Sequence, residues 1–331
     1  MRIAVIGAGG WGTAFSILLA KKKLPVQLWV REEKVWEGLR HNRENSAFLP
    51  GFVLPAPVTF HRQIEEAAAD ADFLFLAVPS QFFRHVCQKI SPSLSPSSIV
   101  VSLAKGIEEA TLQRMSEVME EVFAPEVKRH LAVLSGPSFA REVAADQPTA
   151  VVTAGSDPLT AQAVQLLVSG PAFRAYTSPD VIGVEIAGAV KNTIAIAAGI
   201  SDALGYGHNS RAALVTRGLA EISRLGVRCG ARRETFAGLA GLGDLLLTCT
   251  GELSRNRRLG LELGRGRRLE DILSSTAMVA EGVPTTKSTR RLSEKLGVEM
   301  PITEQVFRVL YEGQHPQSAL QELMTRKLKE E

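Results

Sequence analysis

The stretch Gly7-Ala8-Gly9-Gly10-Trp11-Gly12 lies between a short apolar run, Arg2–Ile6 (RIAVI), and a helical pattern running from about Gly10 to Lys22. No other feature of the chain limits the fold so tightly. An apolar strand that breaks on glycines and resumes as a helix makes one abrupt turn. In a G-x-G-x-x-G spacing, Gly7 permits that turn, Gly9 lets backbone approach a pyrophosphate, and Gly12 lets helix pack close to strand. The N–H groups at the helix start, from Gly10 and Trp11 onward, then face the pyrophosphate. A second strand, Val26–Val30 (VQLWV), follows at the distance a βαβ unit needs, so the loop reads as a dinucleotide site.

The alternation continues. Asp72–Val78, Ile99–Leu103, His130–Leu134 and Ala150–Thr153 read as strands, and Asn42–Pro57, rich in Asn, Pro and Gly, reads as loop. Strands alternating with helices predict an α/β fold, a Rossmann-type doubly wound parallel sheet, over residues 1–182. From Gly183 the strand signal fades. Helical patterns cover 184–203, 211–227, 234–249, 282–297, 303–312 and 317–329, with Asn209-Ser210 and Thr303 as helix starts. Residues 183–331 therefore read as an all-helical second domain, and 331 residues suffice for two cores.

Charge and cysteine usage narrow the function. Thirty-eight basic against 35 acidic residues leave a net charge of +3, too small to drive binding to nucleic acid or an anionic membrane. No run of 18 uninterrupted apolar residues suggests a membrane span, and MRIAVIGAGG lacks a signal-peptide cleavage region. Cys87, Cys229 and Cys249 are isolated and fit a reducing cytoplasm, and the histidines lack metal-ligand spacing, so no metal is expected. The apolar helical half suggests self-association as a homodimer.

Several polar residues stand out against this background. Arg31 ends the second strand, where an NAD site commonly has an acidic residue on the ribose 2′-hydroxyl; an arginine suits a 2′-phosphate, so NADPH is the preferred cofactor on this reading, with NADH the alternative if Glu32 serves the ribose. Lys191 interrupts the apolar stretch Val184–Ile200 (VEIAGAVKNTIAIAAGI). It either snorkels to water or points into a closed site, where desolvation favours giving up a proton. At helical spacing it shares a face with Ala187, Gly188, Ala195 and Ala198, small residues that leave room for a helix or a ligand. Asp244, amid Gly241–Leu247 (GLGDLLL), is a candidate partner because an isolated buried carboxylate is costly; Thr248 lies on the same helix face, and Asn192 is placed to orient substrate or lysine. A purely structural Lys–Asp bridge remains open. Ser254-Arg255-Asn256 suits a phosphate or carboxylate. The run to Arg268 holds six arginines without interleaved aromatics, which disfavours nucleic acid. Lys105-Gly106 and Ser135-Gly136-Pro137-Ser138 follow strands, where open α/β sheets bind ligands.

Taken together, GAGGWGT (7–13), LAKG (103–106), LSGPSFA (134–140), EIAGAVKN (185–192), AALVTRG (212–218), GLAGLGD (238–244), TCT (248–250), SRNR (254–257) and EGV (281–283) make the chain resemble the bacterial-type NAD(P)-dependent glycerol-3-phosphate dehydrogenases along nearly its whole length. The resemblance implies a Rossmann domain followed by a helical domain of the 6-phosphogluconate dehydrogenase-like kind. It implies reversible conversion of dihydroxyacetone phosphate and NAD(P)H into sn-glycerol 3-phosphate, the backbone precursor of phospholipids. It makes Lys191 the proton donor and acceptor. It assigns substrate to Lys105, Gly136, Ser138, Lys191, Asp244, Ser254, Arg255 and Asn256, and cofactor to Trp11, Arg31, Lys105, Ala140, Arg255, Val279 and Glu281. Where the family often has serine, this chain has Gly10. Two rivals are a two-domain reductase of small 2-oxo or 3-hydroxy acids and a non-catalytic NADPH sensor. The Ser254–Asn256 motif favours phosphate over carboxylate, and the joint presence of Lys191, Asp244 and Arg255 argues against a sensor.

Overall fold

Ile3, Ala4, Val5 and Ile6 are fully buried, as befits a central parallel strand covered by helices on both faces. They form β1 (Ile3–Ile6). The computed structural model describes residues 1–275, 280–328 and 330. These divide into two units, 1–105 with 113–185 and 106–112 with 186–331.

In the first unit β1 is joined by β2 (Val26–Trp29), β3 (Val58–His61), β4 (Phe73–Leu76), β5 (Ile99–Ser102), β6 (Leu131–Ser135), β7 (Thr149–Gly155) and β8 (Phe173–Ser178). Among the described residues they make one eight-stranded sheet in the order β3-β2-β1-β4-β5-β6-β7-β8. The helices are α1 (Gly10–Lys21), α2 (Glu33–Asn42), α3 (Ile64–Ala68), α4 (Phe83–Ile90), α5 (Met115–Val122), α6 (Ala140–Ala144) and α7 (Pro158–Val168). The chain leaves β1 toward β2 and returns on its other side as β4, so the strand order reverses at β1. Ligands bind at such a switch point, outside the carboxyl ends of the strands. The glycine loop, Arg31, Lys105 and Gly136 follow β1, β2, β5 and β6 there.

The sheet differs from the sequence reading in three ways. β3 and β8 are additional strands at its two edges, half-exposed and mixed in polarity, so they lack a buried strand's apolar run. Asn42–Pro57 is not wholly loop: α2 ends at Asn42, and Glu44 pairs with Val53. β7 runs antiparallel to β6. The connector between them carries only the five-residue α6. A helix that short advances about 7 Å, whereas a five-residue strand spans about 16 Å, so it does not return the chain to the start of β6.

α8 (Val181–Ala203) begins where Asp180 accepts from the Gly183 N–H at 2.9 Å. In its second turn the buried Glu185 accepts from the Ser116 N–H (2.8 Å), the Ser116 hydroxyl (2.5 Å) and Arg114 (2.6 Å). Burial pushes the Glu185 carboxyl up, and the Arg114 charge pulls it down. α8 is long and apolar enough to cross a membrane, but 83% of that stretch is buried inside the structure, which makes it a core helix.

The second unit adds α9 (His208–Arg228), α10 (Asp244–Thr250), α11 (Arg255–Gly264), α12 (Leu269–Ser274), α13 (Gly282–Leu296), α14 (Pro301–Tyr311) and α15 (Pro316–Met324). α9 and α14 start two to three residues earlier than Asn209-Ser210 and Thr303 suggested. The stretch 234–249 is not one helix: a tight turn, Arg233–Ala237, and a widened π turn, Leu239–Gly243, precede α10.

α14 is capped from outside. Glu221 of α9 accepts from the N–H groups of Ile302 (2.6 Å) and Thr303 (3.2 Å). Burial pushes the Glu221 carboxyl up from 4.5 to about 7, against the pull of those two amides. Between these values the folded chain holds more protons than the unfolded one. Glu221 therefore lowers stability as pH rises from 4.5 to 7, by on the order of 3 kcal/mol. Glu221→Gln flattens this decline, read as the urea midpoint against pH; an unchanged slope would remove Glu221 as its source.

Candidate active site

In the first unit the glycine loop combines two close backbone contacts with one open position. Gly7 has φ +116°, and a Cβ there would lie 2.6 Å from the Ala77 carbonyl oxygen. A Cβ on Gly12 would overlap the Gly7 carbonyl oxygen, so α1 seats on β1 only with glycine at both places. Gly9 is different: a Cβ on it would meet no protein atom within 4 Å. Its bareness leaves open space over the start of α1, where Gly9 occupies the capping position and supplies no side-chain cap. First-turn N–H groups without a cap suit a pyrophosphate. A Cβ on Gly10 would lie 3.0 Å from the Phe48 carbonyl oxygen, so a serine there would press on that segment. Trp11 packs on Phe15 with ring centroids 5.7 Å apart.

Asn45 was missed in the sequence. It is fully buried, and its amide donates to the Ala8 carbonyl and the Thr13 hydroxyl, both at 2.8 Å. It also accepts from the Phe48 N–H at 3.2 Å. One carboxamide thus pins the glycine loop, α1 and the 45–48 turn. Nothing local distinguishes it from the other polar residues of an Asn- and Pro-rich segment.

Arg31 follows β2 as expected. Its guanidinium lies 5.5 Å from the Phe82 ring centre and donates to Glu32 at 2.8 Å. The side chain is 59% exposed. Lys105, Gly136 and Ser138 converge on one atom: the Lys105 ammonium and the Ser138 hydroxyl each donate to the Gly136 carbonyl at 2.9 Å. Gly136 has φ +132°, and a Cβ there would strike Val151. Ala140 begins α6.

In the second unit Lys191 is buried, 6% exposed, and does not snorkel. Its ammonium donates to Asp244 Oδ1 at 2.5 Å and to Thr248 Oγ1 at 2.9 Å. The Thr248 hydroxyl donates to the Asp244 carbonyl at 2.6 Å, which turns its oxygen lone pairs toward the lysine. Asp244 is 1% exposed and opens α10 directly after the π turn. Such bulges are frequent at functional sites. Gly241 is required within that turn, since a Cβ on it would overlap the Phe236 backbone. Nearby, burial pushes the Cys249 thiol up to about 12 while the Lys191 charge pulls it down. That thiol stays protonated and is no nucleophile.

Ser254 caps α11, its hydroxyl accepting from the Arg257 N–H at 3.2 Å. Arg255 is exposed at the first turn. Arg257 turns inward and donates to Asp202 at 2.8 Å. Arg265 and Arg267 pair with Glu262, and Arg268 with Glu270. Asn256 is buried; its amide donates to Asn192 Oδ1 at 2.9 Å and its oxygen accepts from the Gly282 N–H at 3.0 Å. The carboxamide is thus engaged with α8 and α13, leaving the backbone N–H of Asn256 as its group at the mouth of α11. Glu281 precedes α13, and Val279 lies outside the described residues. Among the described residues, no three His, Cys, Asp or Glu side chains gather as a metal site would.

Family models described as NAD-dependent glycerol-3-phosphate dehydrogenase N-terminus and C-terminus match residues 2–161 and 180–321. A protein of Geobacter sulfurreducens named glycerol-3-phosphate dehydrogenase [NAD(P)+] is 56% identical over 330 residues, 100% of this chain and 98% of the relative. One of the same name from Syntrophobacter fumaroxidans is 52% identical over 99% of this chain and 97% of its own. The crystal structure of glycerol-3-phosphate dehydrogenase from Coxiella burnetii, 39% identical, superposes with a TM-score of 0.94, covering 98% of this chain and 99% of that one.

Proposed function

The chain belongs to the NAD-dependent glycerol-3-phosphate dehydrogenase family, and from that premise we infer that it interconverts dihydroxyacetone phosphate and sn-glycerol 3-phosphate with NAD(P)H. The buried Lys191–Asp244–Thr248 cluster carries this reading. A ketone accepting hydride at carbon develops negative charge on oxygen and needs a positioned cation and a proton. When bound, the nicotinamide supplies the hydride. Lys191 polarises the carbonyl oxygen and gives it a proton from Nζ; in the reverse direction it takes that proton back. Asp244 compensates the ammonium, and Thr248 holds its direction. Asn192 steadies the Lys191 turn through Asn256.

The substrate phosphate is assigned to the first turn of α11, where the Arg255 guanidinium and the Asn256 backbone N–H combine charge with a helix terminus. Lys105, Gly136 and Ser138 form a second polar group for the substrate, with the Lys105 ammonium as a point charge. Binding the inert phosphate orients the carbonyl, which is binding energy used for rate. The dinucleotide is assigned to Gly7–Gly12, Arg31, Lys105, Ala140, Arg255 and Glu281. On this reading 1–182 is the dinucleotide-binding domain and 183–331 the helical substrate-binding domain, each lending residues to the other's ligand, without a metal, in a cytoplasmic homodimer that feeds phospholipid synthesis.

The test is to mix protein, NADPH and dihydroxyacetone phosphate and follow the reduced-nicotinamide absorbance. The expected result is rapid loss that requires the phosphorylated ketone. A protein that binds NADPH without turnover, or that reduces only 2-oxo acids, would overturn the reading. The same assay tests the NADPH preference. Hydrogen bonds to a charged group contribute about 1.5–3 kcal/mol, so Arg31→Ala lowers kcat/KM for NADPH roughly 10- to 100-fold. The value for NADH changes little. A wild-type preference for NADH would overturn the role of Arg31.

A further inference from the structure

Within the second unit, α8 and α11 run side by side in the same direction, and their contacts recur every four residues on both helices. Asn256 meets Asn192 through a hydrogen bond of 2.9 Å. One turn on, a Cβ placed on Gly260 would overlap the Ile196 carbonyl oxygen and lie 3.0 Å from Gly199 Cα. A further turn on, a Cβ on Gly264 would lie 3.0 Å from the Ile200 carbonyl oxygen and 2.7 Å from Ala203 Cβ. A Cβ on Gly199 itself would overlap the Arg257 carbonyl oxygen. Helices separated by ordinary side chains pack at about 8–10 Å; here backbone meets backbone. Asp202, near the end of α8, locks the pair by accepting from Arg257 at 2.8 Å and from Arg211 of α9 at 2.9 Å.

This register sets the first turn of α11 beside Asn192, the residue after Lys191. We propose that the side-chain-free contact at Gly199 and Gly260 is a specificity determinant: it holds the phosphate anchor at one distance from the Lys191 ammonium and selects ketones whose carbonyl adjoins the phosphorylated carbon. The proposal rests on the reading of the α11 first turn as the phosphate anchor. Gly199 and Gly260 are positioning residues, acting through Asn256 and Arg255 on one side and Lys191 on the other. The backbone at Gly260 has no rotamer with which to yield, so an added methyl group forces the helices apart.

The experiment compares dihydroxyacetone phosphate with 4-hydroxy-3-oxobutyl phosphate, its homologue with one more methylene between carbonyl and phosphate. An ångström of misplacement is worth up to about 100-fold in rate, so in Gly260→Ala the preference for the shorter ketone, as the ratio of kcat/KM values, falls roughly tenfold or more. Most of the loss for the shorter ketone is in kcat. Equal losses on both ketones would overturn the proposal, because a general loosening of the fold has no preferred length. Gly264→Ala, whose new methyl would come no closer than 2.7 Å to a neighbour, is the milder variant. It lowers the ratio less, and an unchanged ratio there overturns the proposal if Gly260→Ala does not fold. Inorganic phosphate is tested on the wild type as a competitor of the ketone. Failure to compete, in an enzyme that turns over, would remove the anchor reading itself and is distinct from a ruler that fails with the anchor intact.

Discussion

Lys191→Ala lowers kcat for ketone reduction by about 10²- to 10⁴-fold, the usual worth of a positioned general acid, and leaves NADPH affinity unchanged. The expectation follows from burial and pairing together. A snorkelling lysine would reach water; this one is 6% exposed and donates to Asp244 and Thr248 from the middle of an apolar helix. A purely structural bridge would share that geometry, so the split between kcat and cofactor binding matters. Loss confined to stability, with turnover per folded molecule near normal, would make the pair a strut. Kinetics are measured well below the melting temperature of the variant, because alanine leaves Asp244 without its ammonium.

Asp244→Ala destabilises the protein by about 3–5 kcal/mol, since removing one member of a buried pair strands the other's charge. For a unit of this size that lowers Tm by roughly 10 °C. The double replacement Lys191→Met, Asp244→Leu recovers most of the stability, because apolar side chains of similar volume replace a buried ion pair at little cost. It does not recover turnover. Stability regained without activity separates what the pair does for the fold from what it does for the reaction. A Tm within the scatter of wild type in Asp244→Ala would mean that water enters the cluster and relieves the stranded lysine.

Much of the site was legible because its signals are local. Gly7 and Gly12 announce a strand–turn–helix through their own backbone demands, and the residues between them belong to the same turn. Lys191 and Asp244 are visible as charges in apolar surroundings, and Ser254 as a cap before a helix. The helix that Ser254 caps, α11, was nevertheless absent from the pattern of helical segments, because arginines fill its first turns and blur the apolar period. β8 escaped for a similar reason: FRAYTS at a sheet edge buries only alternate positions in its first half. The π turn before Asp244 looks like continuous helix in the sequence, since LAGLG carries helical apolar spacing while its glycines permit another winding.

The sequence by itself determined the dinucleotide loop, the two-part organisation and the identity of the acid candidate. Each of these depends on neighbours along the chain, through backbone conformation or the period of apolar side chains. Only the tertiary structure decided that Asn45 pins the glycine loop, that Asn256 uses its side chain on Asn192 and Gly282, that Arg257 faces Asp202 while Arg255 stays outside, and that α8 meets α11 on bare backbone. These partners lie tens of residues apart. Which of them meet is set by close packing of whole helices, a collective outcome to which each residue's own neighbours contribute little.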